Sequence, residues 1–499
     1  MPSMTQPSPP PDALAVSRPD GDVIGSSAAG PAALRGSLML GVSYATSIGL
    51  SLISVPLLIR HLGISAFGRY TTVLAIVTVV NGLTDAGMAN IALREWSTRS
   101  GDDRRQTMRS LMGIRLELSA AGVLVGVAFA AIAGYGHTLV LGTLLAGSGM
   151  VMQALNDVLT VPLQGELRFG WPSLVTVARQ AVSTALIVAL VLVGAGLLPF
   201  FAVMIPAGLT TIAFTTFLVR GQLPLAPRFR GGEWWSLVRD TLPYAAAIAI
   251  NTLYFRVTII VMSLAATATQ TGYFATSFRV IEVLIGVPAL AIGASFPILS
   301  RSAKDDEPRF IRATERIIEL SLTAGVAMVL VVVLLAPFVI QVIAGAAGAP
   351  AVRVLQIQGL ALVATFLAVA TGFVLLSLRR HTALLIANGA ALVTNVVLTL
   401  VLVPVDQARG AAMAAVIAET CLAIGQLLLL QRVRGRLVRL RSLAVIAVAG
   451  MAGAAPLLVG GVHPILRTLA GLAIYLAVLS AFGRIPPEVR DALGRGHHG

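Results

Sequence analysis

The amino-acid sequence predicts an all-α integral membrane protein with about fourteen transmembrane helices. Two observations favour this fold class. First, 57% of the 499 residues are hydrophobic and only 12% are charged, whereas soluble domains carry roughly 25% charged residues. Second, apolar runs of about 20 residues, long enough to cross a bilayer as helices, recur along nearly the whole chain. Together these observations exclude a water-soluble enzyme.

The predicted spans form two sets of six and a final pair. The first set occupies residues 38–219, the second set residues 242–431, and the pair residues 442–483. Each set is long enough for six helices joined by short loops. Because no long external loop interrupts the spans, we expect no folded domain outside the membrane.

The remaining segments are predicted to be tails and one linker. Residues 1–34 are rich in Pro, Ser, Gly and Ala, a composition typical of a disordered tail. Residues 484–499 are predicted to form a second tail. Residues 220–241 join the two sets, and Trp234 and Trp235 within them favour a helix lying at the membrane interface.

The positive charge predicts the orientation of the chain. There are 36 Lys and Arg residues against 22 Asp and Glu residues, and most of the basic residues lie in the segments that become cytoplasmic if the N-terminus is cytoplasmic. Basic loops are retained on the cytoplasmic side of membranes. We therefore predict that both termini are cytoplasmic, and that the basic excess reflects topology and anionic lipid rather than nucleic acid.

A short motif recurs at the same place in the two sets of six spans. Gly68-Arg69-Tyr70 opens the second span of the first set, and Gly272-Tyr273 opens the second span of the second set. Because six is an even number, a duplicated half keeps its orientation in the membrane. The sequence therefore predicts two parallel six-helix lobes with a substrate cavity between them.

Signatures of catalysis and of bound cofactors are missing from the sequence. It contains no P-loop, no HExxH motif and no Gly-x-Ser-x-Gly motif at a strand-to-helix turn, and these are the patterns that carry common enzyme chemistry. The six histidines do not cluster at metal-ligand spacing, and Cys421 is the one cysteine. We expect neither enzymatic activity nor a metal or cofactor.

Arginines within spans are the candidate binding residues, because a charge at mid-span costs about 3 kcal/mol and normally faces a cavity or a partner. Arg256 has no acidic residue within four positions along its span, which favours an anionic ligand over an interhelical ion pair. Arg279 has Glu282 three residues later, on the same helical face. Arg279 could therefore form an ion pair with Glu282 or contact a ligand, and both alternatives remain open.

Two further arginines lie nearer the N-terminus. Arg179 either lines the cavity or pairs with Asp157 of the preceding span. Arg115 lies about one turn inside its span, so we predict that its side chain extends to the cytoplasmic interface.

Five carboxylates lie in or at the ends of spans. They could balance the arginines or carry protons: Asp85, Glu117, Asp157, Glu282 and Glu419. The fifth, Glu419, follows the small-residue stretch 410–415, which suits close helix packing. We therefore predict a structural role for Glu419.

A set of short motifs, in order along residues 38–431, resembles the polysaccharide or O-antigen (Wzx-type) flippases of the multidrug, oligosaccharidyl-lipid and polysaccharide exporter superfamily. Each motif lies at a comparable place at the end of a span. The motifs are Leu62-Gly63 with Phe67-Gly68-Arg69-Tyr70, Asp85-Ala86-Gly87-Met88 with Arg94, Gln164-Gly165-Glu166-Leu167-Arg168-Phe169, Phe296-Pro297-Ile298-Leu299, and 395–404 with Gly410-Ala411-Ala412.

This resemblance implies a V-shaped core of two six-helix lobes, here with two additional C-terminal helices. It implies that the protein moves an undecaprenyl-pyrophosphate-linked oligosaccharide from the inner to the outer leaflet of the bacterial cytoplasmic membrane by alternating access. By the same resemblance, Arg256 and Arg279 line the central cavity. The implied partners are the lipid-linked glycan, membrane lipids and polysaccharide polymerase or assembly proteins.

Two alternatives within the superfamily remain open. A lipid II flippase is disfavoured because the first span, residues 38–59, has no arginine in its body, where such flippases typically place cations. A cation-coupled multidrug exporter would use a carboxylate of the first lobe, for which Asp85, Glu117 and Asp157 are candidates. The cavity arginines argue against cationic drugs.

Overall fold

A computed structural model of the chain describes residues 29–85, 87–166, 168, 170–221, 226–229, 242–293, 296–434, 440–459 and 461–483. All regular secondary structure of the described residues is helical, which confirms the all-α fold class. The helices of the first lobe are α1 (Ala29–Leu62), α2 (Ile64–Asp85), α3 (Met88–Thr98), α4 (Gly101–Ile132), α5 (His137–Leu159), α6 (Val161–Gly165), α7 (Gly170–Leu192), α8 (Leu197–Ala202) and α9 (Met204–Leu218).

The second lobe and the final pair continue this pattern of long apolar helices. The second lobe consists of α10 (Leu242–Ala265), α11 (Ala268–Gly293), α12 (Phe296–Asp305), α13 (Glu307–Ala344), α14 (Ala351–Ser377) and α15 (His381–Arg434). The final pair is α16 (Leu440–Ala454) and α17 (Pro464–Ala481). We call the face where α2 ends and α13 begins the inner face, which the charge distribution predicts to be cytoplasmic, and the opposite face the outer face.

The helices account for the predicted spans. Twelve helical stretches of the described chain are long and apolar enough to cross a membrane, and Ala249–Ala265 is a shorter apolar helix at the seventh predicted span. Helix α15 contains two predicted spans, which meet where Asp406 and Gln407 leave the helical conformation. Gln407 has a positive φ of 51°, so the chain turns sharply there. The prediction of a polytopic helical membrane protein is confirmed.

The predicted tails and linker lie largely beyond the described chain. Residues 1–28 and 484–499 lie outside it, and so do Trp234 and Trp235 of the linker. Helix α1 begins at Ala29, so the last six residues of the predicted disordered tail are helical. In the linker, the Arg228 backbone N–H donates to the Arg109 carbonyl at 2.9 Å, which attaches this segment to α4.

The two lobes contact each other along α2, which packs against α10 and α11. Near the outer face, Gly68 lies against the backbone of Ala268 and Gly272, and Gly272 lies against the backbone of Ile64. A Cβ atom at either glycine would collide with backbone atoms of the other lobe. The recurring glycines of the sequence motif therefore allow the closest approach of the lobes.

Further contacts join the lobes on both sides of the membrane midplane. At the outer face, Arg60 Nη2 of α1 donates to the carbonyl oxygens of Gln341 at 3.0 Å and Val342 at 2.7 Å, near the end of α13. Toward the inner face, Gly82 of α2 lies against the side chain of Thr252. The space between the lobes is thus bounded by contacts at both ends.

The final pair of helices packs on the outside of the second lobe. Helices α16 and α17 contact each other and α13. Their close approach occurs at Gly453 and Gly471, and Tyr475 donates its hydroxyl hydrogen to the Thr323 carbonyl at 2.9 Å. The pair therefore extends the second lobe, and none of its described residues lines the cavity between the lobes.

Candidate functional site

A cavity of about 520 Å³ lies between the two lobes. Helices α1, α2, α5, α7 and α9 of the first lobe form most of its wall, and the second lobe contributes Arg256 of α10 and Arg279 of α11. Its polar lining residues are Ser51, Ser54, Tyr70, Thr78, Asn81, Gln153, Arg179, Gln180, Ser183, Arg256 and Arg279. Charged, amide and hydroxyl groups thus meet in one cavity within an otherwise apolar membrane protein.

The three arginines predicted to bind ligand all line this cavity. Arg179 enters from α7 of the first lobe, whereas Arg256 and Arg279 enter from α10 and α11 of the second. Helix pairing across the lobes, rather than sequence spacing, brings them together. A ligand in the cavity can therefore contact cationic groups of both lobes at once.

Glu282 connects the two arginines of the second lobe. Its carboxylate accepts from Arg256 Nη2 at 2.5 Å and from Arg279 Nη1 at 2.6 Å. Arg256 thus has the interhelical partner that the sequence left as an alternative, and Arg279 has the internal pair. Each guanidinium carries five N–H donors, and the side chains of Arg256 and Arg279 are 23% and 34% exposed. Donors therefore remain for a ligand.

Arg179 is held less tightly. Among the described residues, none forms a hydrogen bond or a salt bridge with its guanidinium, and Asp157 is its electrostatic counter-charge. Asp157 is itself occupied, because Gln153 Nε2 donates to its Oδ1 atom at 2.9 Å. Arg179 thus lines the cavity, and its interaction with Asp157 is electrostatic, without a hydrogen bond or a close ion pair.

The prediction that Arg115 extends to the interface is wrong. Its side chain is 1% exposed and forms an ion pair with Asp85 at 2.9 Å, with Asp157 at 3.9 Å beyond it. Asn81 lies nearby, with its Oδ1 atom 3.4 Å from Arg115 Nη2. Carboxylates from α2 and α5 therefore stabilise the buried guanidinium inside the lobe in place of water.

Asp85 is expected to be important for stability because it is the close partner of a fully buried guanidinium. Asp85→Ala should lower the free energy of unfolding by about 3–5 kcal/mol, the usual cost of leaving a buried charge without its partner. Thermal unfolding of the purified protein in detergent measures this effect. The matched control is Asp103→Ala, since Asp103 is 65% exposed and pairs with Arg99 on the surface. Equal shifts in the two variants would contradict the role given to Asp85.

Glu117 does not take part in either cluster. Its side chain is exposed on α4, and no ion pair with it is found in the part of the chain that the structure describes. No arginine in the described chain therefore pairs with Glu117, although the sequence had allowed such a pair. Asp85, Asp157 and Glu282 are the predicted carboxylates that do contact arginines.

The cavity carries an excess of positive charge. Three guanidinium groups line it, and one carboxylate, Glu282, is bonded directly to two of them. Asp85 pairs with Arg115, which lies outside the lining, and Asp157 is the counter-charge shared by Arg115 and Arg179. The four arginines therefore exceed the three carboxylates by one charge. A low-dielectric wall strengthens the attraction for an anion, so the arrangement favours an anionic ligand.

Several polar lining residues were not singled out from the sequence. Asn81, Gln153 and Gln180 line the cavity and supply amide groups that suit the hydroxyls of a polar ligand. The sequence feature that could have identified them is an amide side chain inside an apolar span. That signal is weak, because amides in membrane helices also serve to join helices.

Comparison with known proteins identifies what the chain is similar to. Residues 57–353 match the family model described as polysaccharide biosynthesis protein. The solved structure of the lipid II flippase MurJ in an inward closed conformation is similar with a TM-score of 0.75 at 14% identity, over 90% of this chain and 99% of that chain. No curated protein sequence matches this chain.

Two other solved structures share the fold. An inward-facing multidrug resistance MATE family transporter of the MOP superfamily is similar with a TM-score of 0.65 at 16% identity, over 79% of this chain and 94% of that chain. A MOP superfamily transporter from Pyrococcus furiosus gives a TM-score of 0.56 at 16% identity, over 81% and 96% of the two chains. At these identities the likeness concerns the fold.

Proposed function

We propose a flippase function for this chain, which belongs to the polysaccharide biosynthesis protein family. The proposed cargo is an undecaprenyl-pyrophosphate-linked oligosaccharide, moved from the inner to the outer leaflet of the bacterial cytoplasmic membrane. One observation carries the proposal. Arg179, Arg256 and Arg279 line a single cavity between the lobes, with Glu282 as the carboxylate bonded to two of them.

The cavity chemistry suits the head group of this cargo. A pyrophosphate diester carries about two negative charges, and planar guanidinium groups bind pairs of phosphate oxygens in a bidentate manner. The hydroxyls of Ser51 and Ser54 and the amides of Asn81 and Gln153 also face the cavity, and such groups hydrogen-bond to sugars. The polyprenyl tail would remain in the surrounding lipid.

The contacts between the lobes suit alternating access. Gly68 and Gly272 join the lobes near the outer face, and Gly82 with Thr252 joins them toward the inner face. The cavity residues of α2 from Tyr70 to Asn81 lie between these contacts. Opening one set of contacts while the other remains closed would expose the cavity to one face at a time.

Two alternative cargoes follow from the fold. A lipid II flippase would use the same pyrophosphate chemistry, and the similar MurJ structure is of such a protein. The α1 residues lining the cavity are Ser51, Ser54, Val55 and Leu58, so this helix supplies no cation. A multidrug exporter would need free carboxylates in the cavity, and those of the first lobe are engaged with Arg115.

Reconstitution into liposomes tests the proposal. The purified protein is combined with a fluorescent undecaprenyl-pyrophosphate oligosaccharide, and flipping is followed by quenching with a membrane-impermeant reductant. Parallel samples contain lipid II or a cationic dye. Flipping of the oligosaccharide in protein-containing vesicles alone is the expected result. Faster transport of lipid II or of the dye would assign the protein to that alternative.

A further inference from the structure

A second cavity, of about 300 Å³, lies inside the second lobe. It shares no lining residue with the arginine cavity. Its polar lining residues are Asn251, Tyr254, Thr365, Asn388, Glu419 and Gln426. The amides of Asn251, Asn388 and Gln426 lie within about ten residues of the inner ends of their helices, whereas Glu419 lies deeper, about 22 Å along α15 from its end at the helical rise of 1.5 Å per residue.

Glu419 is buried without a cation. Its side chain is 7% exposed, and no salt bridge to it occurs in the described ranges. Thr365 of α14 forms a hydrogen bond with its carboxyl group, and Tyr254 of α10 lines the same cavity. Cys421, exposed two residues further along α15, is the other titratable side chain nearby. A carboxylate buried in a membrane protein among neutral groups is strongly unfavourable compared with the neutral acid.

Thr365 is the hydroxyl neighbour of Glu419 on α14. The Thr365 hydroxyl lies 3.0 Å from the Ala361 carbonyl oxygen and 3.1 Å from Glu419 Oε2. A hydroxyl has one hydrogen and can also accept, whereas a carbonyl oxygen only accepts. The hydroxyl can therefore donate to a Glu419 carboxylate, or donate to Ala361 while it accepts from a protonated Glu419. The site can hold Glu419 in either protonation state.

Helix α10 connects this carboxyl group to the arginine cavity. Tyr254 lines the cavity of Glu419 on one side of the helix, and Arg256, two residues later, is bonded to Glu282 on the other side. Asn395 of α15 also approaches α10, with its Nδ2 atom 3.4 Å from the Tyr254 carbonyl oxygen. A change at Glu419 can therefore move the helix that carries Arg256.

We propose that Glu419 is a proton-binding site, which exchanges its proton with the inner face through the amide-lined cavity and thereby couples a proton gradient to movement of the second lobe. In this conformation the proton resides on Glu419 Oε2. On release it passes to water, leaving a carboxylate that can no longer donate to Thr365. Of the two roles that the sequence left open for Glu419, proton carrying is thus favoured over a structural role.

Infrared spectroscopy tests proton binding without any cargo. A protonated carboxylic acid in a dry site gives a carbonyl stretching band that is separate from amide and carboxylate bands. The wild-type protein at neutral pH should show this band, and Glu419→Gln should lack it. Glu419→Asp, which retains a carboxyl group, should keep a shifted band. Absence of the band from the wild-type protein, or its survival in Glu419→Gln, would overturn the proposal whatever the cargo is.

Flipping in liposomes tests the coupling. The membrane potential is clamped to zero, and a pH gradient or a sodium gradient is imposed separately. The wild-type rate should change several-fold with the pH gradient, and Glu419→Gln, which mimics the neutral acid, should lose this response. Glu117→Gln is the matched control, because Glu117 is exposed, and it should respond like the wild type. An unchanged pH response in Glu419→Gln, or a response to sodium alone, would overturn the coupling.

Discussion

Arg256→Ala is expected to abolish flipping while leaving the protein folded and inserted in the membrane. Arg256 faces the cavity and shares Glu282 with Arg279. Its removal takes away hydrogen bonds to the pyrophosphate, each worth about 1.5–3 kcal/mol when a charged group takes part. It also leaves Glu282 with one cation, so the cavity loses one positive charge. The flipping rate in liposomes should fall by at least about 100-fold, since 1.4 kcal/mol corresponds to tenfold.

Two comparison variants show whether the loss arises from cargo contact. Arg256→Lys keeps the charge but lacks the planar fork, so it should recover part of the rate. Arg353→Ala removes an exposed arginine that lies outside the cavity, and it should flip at the wild-type rate. Wild-type flipping by well-expressed Arg256→Ala would contradict the role of Arg256. Equal, complete loss in Arg256→Lys and Arg256→Ala would instead indicate a purely structural pair with Glu282.

Arg179→Ala is expected to have the second largest effect. Arg179 is the arginine through which the first lobe reaches the cavity, and none of its described neighbours forms a salt bridge with it. Loss of its contact with an anionic cargo should lower the flipping rate by about 10-fold to 100-fold, for 1.5–3 kcal/mol per charged hydrogen bond. Because no close ion pair is broken, the melting temperature should remain within a few degrees of the wild type.

Arg179→Lys and Gln180→Ala are the comparison variants for this position. Lysine should retain more of the rate than alanine, because the positive charge remains near Asp157. Gln180 lines the same cavity but carries no charge, so its replacement should have a smaller effect. An Arg179→Ala variant with wild-type kinetics would show that the second lobe alone holds the anion.

The spans could be predicted from the sequence because their signal is long and local. Residues 404 and 409 bracket a predicted boundary, and the structure has its non-helical residues, Asp406 and Gln407, in this interval. The start of α1 at Ala29 was missed. Residues 29–34 are mostly small, and this composition predicted a disordered tail, although alanine is the strongest helix former.

The partners of the cavity arginines could be predicted only in part. Arg279 and Glu282 are three residues apart on one helix, and the structure pairs them at 2.6 Å. The pairs of Arg256 with Glu282 and of Arg115 with Asp85 join different helices. Such pairs depend on the relative depth and rotation of two helices, which hydropathy does not define.

Glu419 shows a different limit of prediction from the sequence. The small residues before it indicated close packing, and Ala411, Ala412 and Ala418 are indeed fully buried. Its hydroxyl neighbours Tyr254 and Thr365 come from α10 and α14, at separations of more than fifty residues. The difference between a structural and a proton-carrying carboxyl group therefore depended on which helices surround it.

Binding of the lipid carrier is the most direct test of the central claim that the arginine cavity recognises a pyrophosphate. The affinity of the detergent-solubilised protein for undecaprenyl pyrophosphate and for undecaprenol, which share the same tail, is measured by native mass spectrometry. The wild-type protein should bind the pyrophosphate at least about tenfold more tightly, a difference of 1.4 kcal/mol, and an Arg179→Ala, Arg256→Ala, Arg279→Ala triple variant should lose this preference. Equal affinity of the wild-type protein for the two lipids, or an unchanged preference in the triple variant, would contradict the claim.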